Sequence, residues 1–362
     1  MAPTKPSLEL LRSLSDEHVV RALMAQRRAT RAEIALATGL SKPTVSESVK
    51  RLSDAGVVVD TGERTTGRGR VGTYYGLPAT TGCALVVSIA PEGIVAEAVD
   101  VYGEVVARSH AEVSRAPGAP HVARTLQRVA RAVAERARPL RLAVVSAADP
   151  VDRESGRLVE LPDAPFLVGA LDAPSVLADL VEGPVTVDND VNWAARAEHG
   201  DDFVYVYLGE GVGAAVVSDG EVRRGHAGLA GEIAHVLTVG PGGAAMRFTD
   251  VFAALGLRRA GSTAIDVPAL LDAVEREDPA DLARAIAGLL SATVALADPA
   301  VVLLGGPWGR HPRVRAAVAR EFARSPRHVP VLAATVEDEP SLAGARTAAL
   351  EQLRDAIVAA RP

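Results

Sequence analysis

The chain is poor in the residues that staple or anchor proteins. It has one cysteine, Cys83, in 362 residues, which excludes a disulfide framework and fits a reducing compartment. No apolar run approaches 18 residues and the start carries no signal-peptide pattern, so a soluble, cytoplasmic protein with no membrane partner is expected. Aromatic residues make up 3% of the chain against 48% hydrophobic residues, so the core must come mostly from Ala, Val and Leu. Lysine is also scarce: Lys5, Lys42 and Lys50 are the only three, all near the start. Residues 1–78 carry 12 Lys/Arg against 8 Asp/Glu, and the remainder carries 27 against 37. The net charge of −6 thus conceals a basic N-terminal module on an acidic body. The length allows two or three domains.

That module contains RATRAEIALATGLSKPTVSESVKRL, residues 28–52. Thr30 and Glu33 have capping-box spacing at the start of one helix. Gly39 suits the left-handed position that ends it. Ser41 is an N-cap candidate for the next helix, with Pro43 in its first turn. Val45, Val49 and Leu52 share one face of that second helix. Its other face offers Lys42, Thr44, Ser46, Glu47 and Lys50. In isolation this is a helical hairpin with a solvated face. Here a short apolar run (57–59) follows, then GERTTGRGRVG and Thr73-Tyr74-Tyr75. Strand, Arg-rich loop and returning strand make a winged helix-turn-helix, with Arg64, Arg68 and Arg70 in the wing. The second helix would enter the major groove of double-stranded DNA, and the wing arginines would reach phosphates or the minor groove. Residues 7–27 supply a supporting helix with the stripe Val19, Val20, Leu23 and Met24.

The expected domains are a winged helix-turn-helix over 1–78, a linker at 79–82, and a region from 83 to 362. The linker is too short for independent tumbling. The long region opens with three strand candidates at short spacing (CALVVSI, IVAEAVD, EVVARSHA), a helix over about 120–138 and a strand at 142–146. A helix after about 174, a strand at 185–187 and a helix from Asp190 follow. A second meander (203–208, 212–217, 221–224), helices, and strands at 301–304 and 329–334 lead to a last helix over 342–359. Two meanders, each followed by alternating helices and strands, predict an α/β two-lobed actin-like fold. One lobe would take about 83–190 plus the C-terminal helix 341–360, the other about 191–340.

The motifs VDNDVNWAARAE (187–198), LGEGVGAAVV (208–217), GHAGLAGEIAH (225–235) and LLGG (303–306), behind a winged helix-turn-helix, resemble the ROK family. That family joins bacterial sugar kinases to sugar-responsive repressors. The resemblance implies that Asn189 and Asp190 face a sugar, Asp190 standing where the kinases take the proton from the attacking hydroxyl. It implies that Glu232 accepts hydrogen bonds from sugar hydroxyls and that His235 lies beside it. Asp250 aligns with a further sugar-contacting acid. Without that context, an Asn-Asp pair is a helix cap and His235 a structural histidine.

The departures from the family pattern bear on activity. Where the family's first phosphate loop reads Asp-x-Gly-Gly-Thr, this chain has Ser88-Ile89-Ala90-Pro91-Glu92. Pro91 removes an amide donor, and the magnesium-supporting Asp is gone. Where the second loop reads Gly-Thr-Gly-x-Gly, the chain has Gly209-Glu210-Gly211-Val212-Gly213. Were Glu92 and Glu210 both turned inward, each contact with a triphosphate at 4 Å would cost about 4 kcal/mol at an effective dielectric of about 20. The family's three zinc cysteines are absent from residues 236–252, so that segment must be ordered by packing, with Met246, Phe248 and Phe252 as candidates. No cofactor, no metal and no enzymatic activity are expected. The leading reading is a repressor, a homodimer or dimer of dimers, sensing a sugar-like small molecule at Asn189, Asp190, Glu232, His235 and Asp250. The alternatives are a sugar kinase with an attached DNA module and a regulator without a small-molecule effector.

Overall fold

The structure is a computed structural model that describes residues 8–66, 71–114, 118–161 and 169–360. The N-terminal part forms as its local signals dictate. Helix Leu8–Gln26 buries Val19, Val20, Leu23 and Met24. Thr30 caps helix Arg31–Thr38 in a complete capping box with Glu33, and Gly39 ends it at φ 71°. The Ser41 side chain accepts from the Thr44 amide at the start of helix Lys42–Asp54. The wing strands are Val59–Arg64 and Thr73–Gly76, so the first begins where the apolar run 57–59 ends. A third strand, Arg28–Thr30, pairs antiparallel with Thr73–Gly76 and puts that strand in the middle of a three-stranded sheet. Arg68 and Arg70 lie outside the described residues.

Two five-stranded sheets follow with one topology. In the first, the spatial order is Val105–Ala111, Gly93–Asp100, Cys83–Ala90, Leu140–Ala147, Val185–Asn189. In the second it is Glu221–Val222, Val212–Ser218, Phe203–Leu208, Val301–Gly305, Val331–Ala333. Each is an antiparallel meander whose first strand takes a parallel neighbour, which in turn takes another. Crossover helices connect the parallel strands, as parallel pairing requires. Strand Cys83–Ala90 is apolar on both faces. Leu85, Val87 and Ile89 pack under helix Ala119–Ala134, and Ala84 and Val86 pack under the C-terminal helix Pro340–Ala359.

The two cores differ in kind. Among the described residues, the first is built from Ala, Val, Leu, Ile and Cys83. The second adds Phe248, Phe252, Trp308 and Phe322. Helix Ala280–Ala297 matches a membrane span in length and mean hydropathy, 1.5. It carries an Asp281–Arg284 ion pair and buries Leu282, Ile286, Leu289 and Leu290 in the second core.

Helix Asp190–Ala197 is sandwiched between the lobes rather than belonging to one. Trp193 packs toward the first sheet and donates from Nε1 to the Val145 carbonyl at 3.0 Å, while Val191, Ala194 and Ala195 pack with the second sheet. Gly344 of the C-terminal helix meets it so closely that a Cβ would collide with the Trp193 carbonyl oxygen. At the end of this helix the buried Glu198 carboxylate accepts from the amides of Thr335 and Val336 (each 2.9 Å) and from the Thr335 hydroxyl (2.6 Å). It thereby ties together the two chain crossings between the lobes. A second buried carboxylate, Glu97, accepts from Arg108 and Arg346 at 2.6–2.9 Å, joining the first sheet to the C-terminal helix.

The winged helix-turn-helix is not a tethered bead. Val19, Leu23, Ile34, Val49 and Leu52 belong to one continuous apolar cluster with Val86, Val144, Ala349 and Leu353. Arg21 donates to Asp355 (3.1 Å) and Arg27 to Glu104 (2.6 Å) across the same boundary. Residues 79–81 form a 3-10 turn whose carbonyls at Thr80 and Thr81 accept from Arg141.

Candidate functional sites

Helix Lys42–Asp54 buries Val45, Ser48, Val49 and Leu52 and leaves Lys42, Glu47 and Lys50 exposed, with Ser46 half-buried between them. Thr44 is half-buried, and its hydroxyl is 2.8 Å from that of Ser41, within the helix cap. Arg51 holds the helix in place by a two-pronged bond to the buried Asp16 of the first helix (2.7 and 3.2 Å). Arg64 is exposed on the wing strand but already bridges Asp60 at 2.8 and 3.0 Å. Its guanidinium holds the Asp60 carboxyl below its ordinary range. A phosphate at Arg64 would compete with that carboxylate. Arg28 and Arg31 stack over Tyr74 and Tyr75 at 5.2 and 5.0 Å.

A cleft of about 900 Å³ lies between the two sheets. Asn189 ends strand Val185–Asn189 and caps the sandwiched helix. Its Oδ1 accepts from the Val191 amide at 3.0 Å, and its Nδ2 donates to the Asp149 carbonyl at 3.2 Å. Both ends of the amide are thus engaged in local structure, so the capping role is present whether or not a ligand is. Asp190, the first helical residue, lies on the cleft floor; what exposure it has is to the cleft. Burial pushes its carboxyl up to about 7, reinforced by the charges of Asp149, Glu232 and Glu92 and opposed by the Val191 amide. Glu232 and His235 line the opposite wall. They are set there by Gly231 at φ 96°, whose backbone pairs with Ala214 so tightly that a Cβ would strike the Ala214 carbonyl oxygen. Burial raises the Glu232 carboxyl as well.

Four of the five expected effector residues, Asn189, Asp190, Glu232 and His235, therefore line one cavity. Asp250 does not join them. It sits in the first turn of helix Phe248–Ala254, turned to Arg247 (2.7 Å) and Arg258 (3.4 Å). Its neighbours Thr249 and Phe252 line the cleft instead. The two arginines explain the turn: they hold the carboxylate outward and keep its pKa low. Segment 236–252 folds as a hairpin, Leu237–Val239 against Ala245–Arg247, leading into that helix. Phe248, Phe252 and Trp308 stack edge to face at 5.3 and 5.8 Å, and the Thr238 hydroxyl donates to the Ala285 carbonyl at 2.6 Å.

Both phosphate-loop counterparts face the cleft, through Ala90-Pro91-Glu92 and Glu210–Gly213. One expectation needs correcting. Glu210 is ion-paired with Arg259, so its charge is compensated and the expected repulsion of a triphosphate by two bare carboxylates does not arise at this loop. Sequence reasoning missed Arg259, 49 positions away. It also missed Tyr207, which lines the cleft beside the glycine loop, and Asp188, whose carboxylate fixes the Asn189 amide and Asn192 at 2.9 Å and pairs with Arg224. An aromatic amid the strand FVYVYL that runs into a glycine loop was the available signal for Tyr207.

Residues 87–247 match the ROK family profile, and residues 12–59 match that of a winged helix-turn-helix DNA-binding module. A xylose repressor of Caldicellulosiruptor bescii is 24% identical over 237 residues, 62% of this chain and 59% of the repressor. A glucokinase of Halalkalibacterium halodurans is 37% identical over 68 residues, 17% of this chain and 21% of the kinase. The chain thus spans less than two thirds of these curated relatives. A crystal structure of a ROK family transcriptional regulator, a homologue of the E. coli MLC protein, superposes over 96% of this chain and 99% of its own, with a TM-score of 0.63 at 17% identity. That likeness establishes the fold. The chain combines a DNA-binding type of module with a two-lobed, sugar-kinase-like body. More particularly, it carries a ROK family domain behind a winged helix-turn-helix.

Proposed function

We propose that the protein is a DNA-binding transcriptional regulator, acting as a repressor, whose kinase-like body senses a sugar-like small molecule and transfers no phosphate. One observation carries this reading. The C-terminal helix begins at the cleft, where Pro340 and Ser341 line the wall, and ends against the first helix of the DNA-binding part, where Asp355 accepts from Arg21. Between these points it packs on the helix that starts with Asp190. A ligand that prefers one separation of the lobes would bias this packed element, and with it the spacing of two recognition helices in a dimer. The repressor named above supports the direction of regulation. The Pro91-Glu92 turn supports the absence of phosphoryl transfer, since it offers neither the magnesium-supporting Asp nor the missing amide.

Operator binding tests the reading, using DNA retained by the full-length protein from its own genome. Lys50→Ala and Lys42→Ala should each weaken binding across all sequences and lower the slope against log salt by about one. Asp190→Asn and Glu232→Gln should leave ligand-free operator affinity unchanged while weakening the response to a sugar panel. Unchanged salt slopes in both lysine variants would remove the assigned reading helix. A ligand response intact in both carboxylate variants would remove the cleft as the sensor.

A further inference from the structure

The loop Gly209–Gly213 has the composition of an anion cradle, and in this chain its inner space is already taken. The Tyr207 ring lies directly over Gly209: a Cβ there would be 2.7 Å from the tyrosine Cε1 and hydroxyl oxygen and 2.8 Å from Cζ. The ring tip stands amid Asp190, Glu92 and Glu210, whose charges, after burial, hold the phenol in its neutral form. Glu210 projects from the loop itself and is paired with Arg259. Arg259 comes from the turn closed by the Arg258–Ile265 bridge, and that turn also donates the Ile265 amide to the Glu210 carbonyl at 2.9 Å. The loop's own groups are engaged too. The Gly209 amide donates to the Gly211 carbonyl at 3.0 Å, and the Gly209 carbonyl accepts from Trp308 Nε1 at 2.9 Å. An anion nest needs free amides and an open face. Here the Gly209 amide is spent inside the loop and a phenol covers that glycine.

We propose that Tyr207 and the Glu210–Arg259 pair are a resident plug. The phenol occupies the volume, and the Glu210 carboxylate the charge position, that a phosphate group would take over this loop, so the cleft accepts only an unphosphorylated ligand on the Asp190–Glu232 side. This rests on the reading of the cleft as a non-catalytic sensor and names the residues that make it so. Arg259 is then a phosphate-type receptor satisfied from within, and unplugging should restore anion binding without any new cation.

The test is calorimetry of the full chain with magnesium ATP and with inorganic tripolyphosphate. Wild type and Tyr207→Phe, which keeps the ring, should show no binding. Tyr207→Thr/Glu210→Thr should gain binding by at least tenfold over the detection limit, and adding Arg259→Ala should abolish the gain. Tyr207→Ser/Glu210→Gln, a second pair of changes that empties the volume and frees Arg259, should gain the same binding and provides the answer should the first double variant fail to fold. Variants that bind operator as wild type does, yet neither of which takes up either anion, would overturn the plug and leave the sensor reading intact. Anion binding by wild type would overturn the plug, while operator binding and the sensor reading, which rest on other residues, would still stand.

Discussion

The two lobes run the same strand order and solve the core problem differently. One face of the first is closed by aliphatic side chains under helix Ala119–Ala134, and the other by the C-terminal helix and Trp193. The second must also order a long irregular stretch, residues 225–265, which carries the Glu232 wall of the cleft and the hairpin 237–247. Regular strands and helices satisfy their own backbone bonds, and small aliphatic residues suffice to cover them. A stretch with little repeating structure needs large side chains that fix several segments at once. Three of the scarce aromatics are placed accordingly: Phe248 and Phe252 lie in the helix that follows the hairpin, and Trp308 comes from beyond the fourth strand to meet them. The resemblance implied a metal-bound module at this place in relatives; in this chain Phe248, Phe252 and Trp308 pack edge to face there.

The largest expected effect is therefore in the second lobe. Phe252→Ala should cost about 3–5 kcal/mol in denaturant unfolding and accelerate amide exchange through 236–252 beyond the rest of the chain. Leu126→Ala, at 0% exposure in the first core, should cost toward the lower part of the ~2–5 kcal/mol range, with exchange loosened only around helix Ala119–Ala134. Equal local exchange patterns in the two variants would erase the distinction between the cores. The effect most dependent on conditions concerns the seam between them. Asp190 takes up its proton near pH 7 in the folded chain, against an ordinary 3.8. Between those values the folded state binds the extra proton, so this group's contribution to stability is highest below about pH 4 and falls as pH rises toward 7. Asp190→Asn should flatten that part of the Tm–pH profile; an unchanged slope would mean that the cleft keeps this carboxylate solvated.

Much of the architecture was legible because it is local. The Thr30–Glu33 box, Gly39 and Ser41 are signals within four residues, and each appears where expected. Strand Cys83–Ala90 announces itself by β-branched and apolar content. The duplicated topology could be guessed from two meanders although the halves share no evident sequence, because meander and crossover lengths are set by geometry. What failed is non-local or too short. Arg28–Thr30 is a strand only because the returning wing strand offers it an edge. The helix expected after about residue 174 is there, but it spans only Ala173–Leu177, too short for periodicity to fix its bounds. In the cleft, residues attached to strand ends and glycine turns came out together. Asp250 did not, because two arginines, one eight positions away, decide where it points, and Arg259 was invisible for the same reason.

The apolar cluster that runs unbroken from Val19 and Leu52 to Val86 and Leu353 has a consequence for how such proteins diversify. A DNA-reading head on a free tether can be exchanged like a cassette, leaving its recipient unaltered. This head shares its floor with the body, so a graft that brings only residues 1–78 would leave Val86, Val144 and Leu353 facing a foreign surface. New operator specificity is therefore more accessible by changing the exposed positions of helix Lys42–Asp54 than by trading heads, and a working chimera would have to inherit the matching C-terminal helix along with its reader.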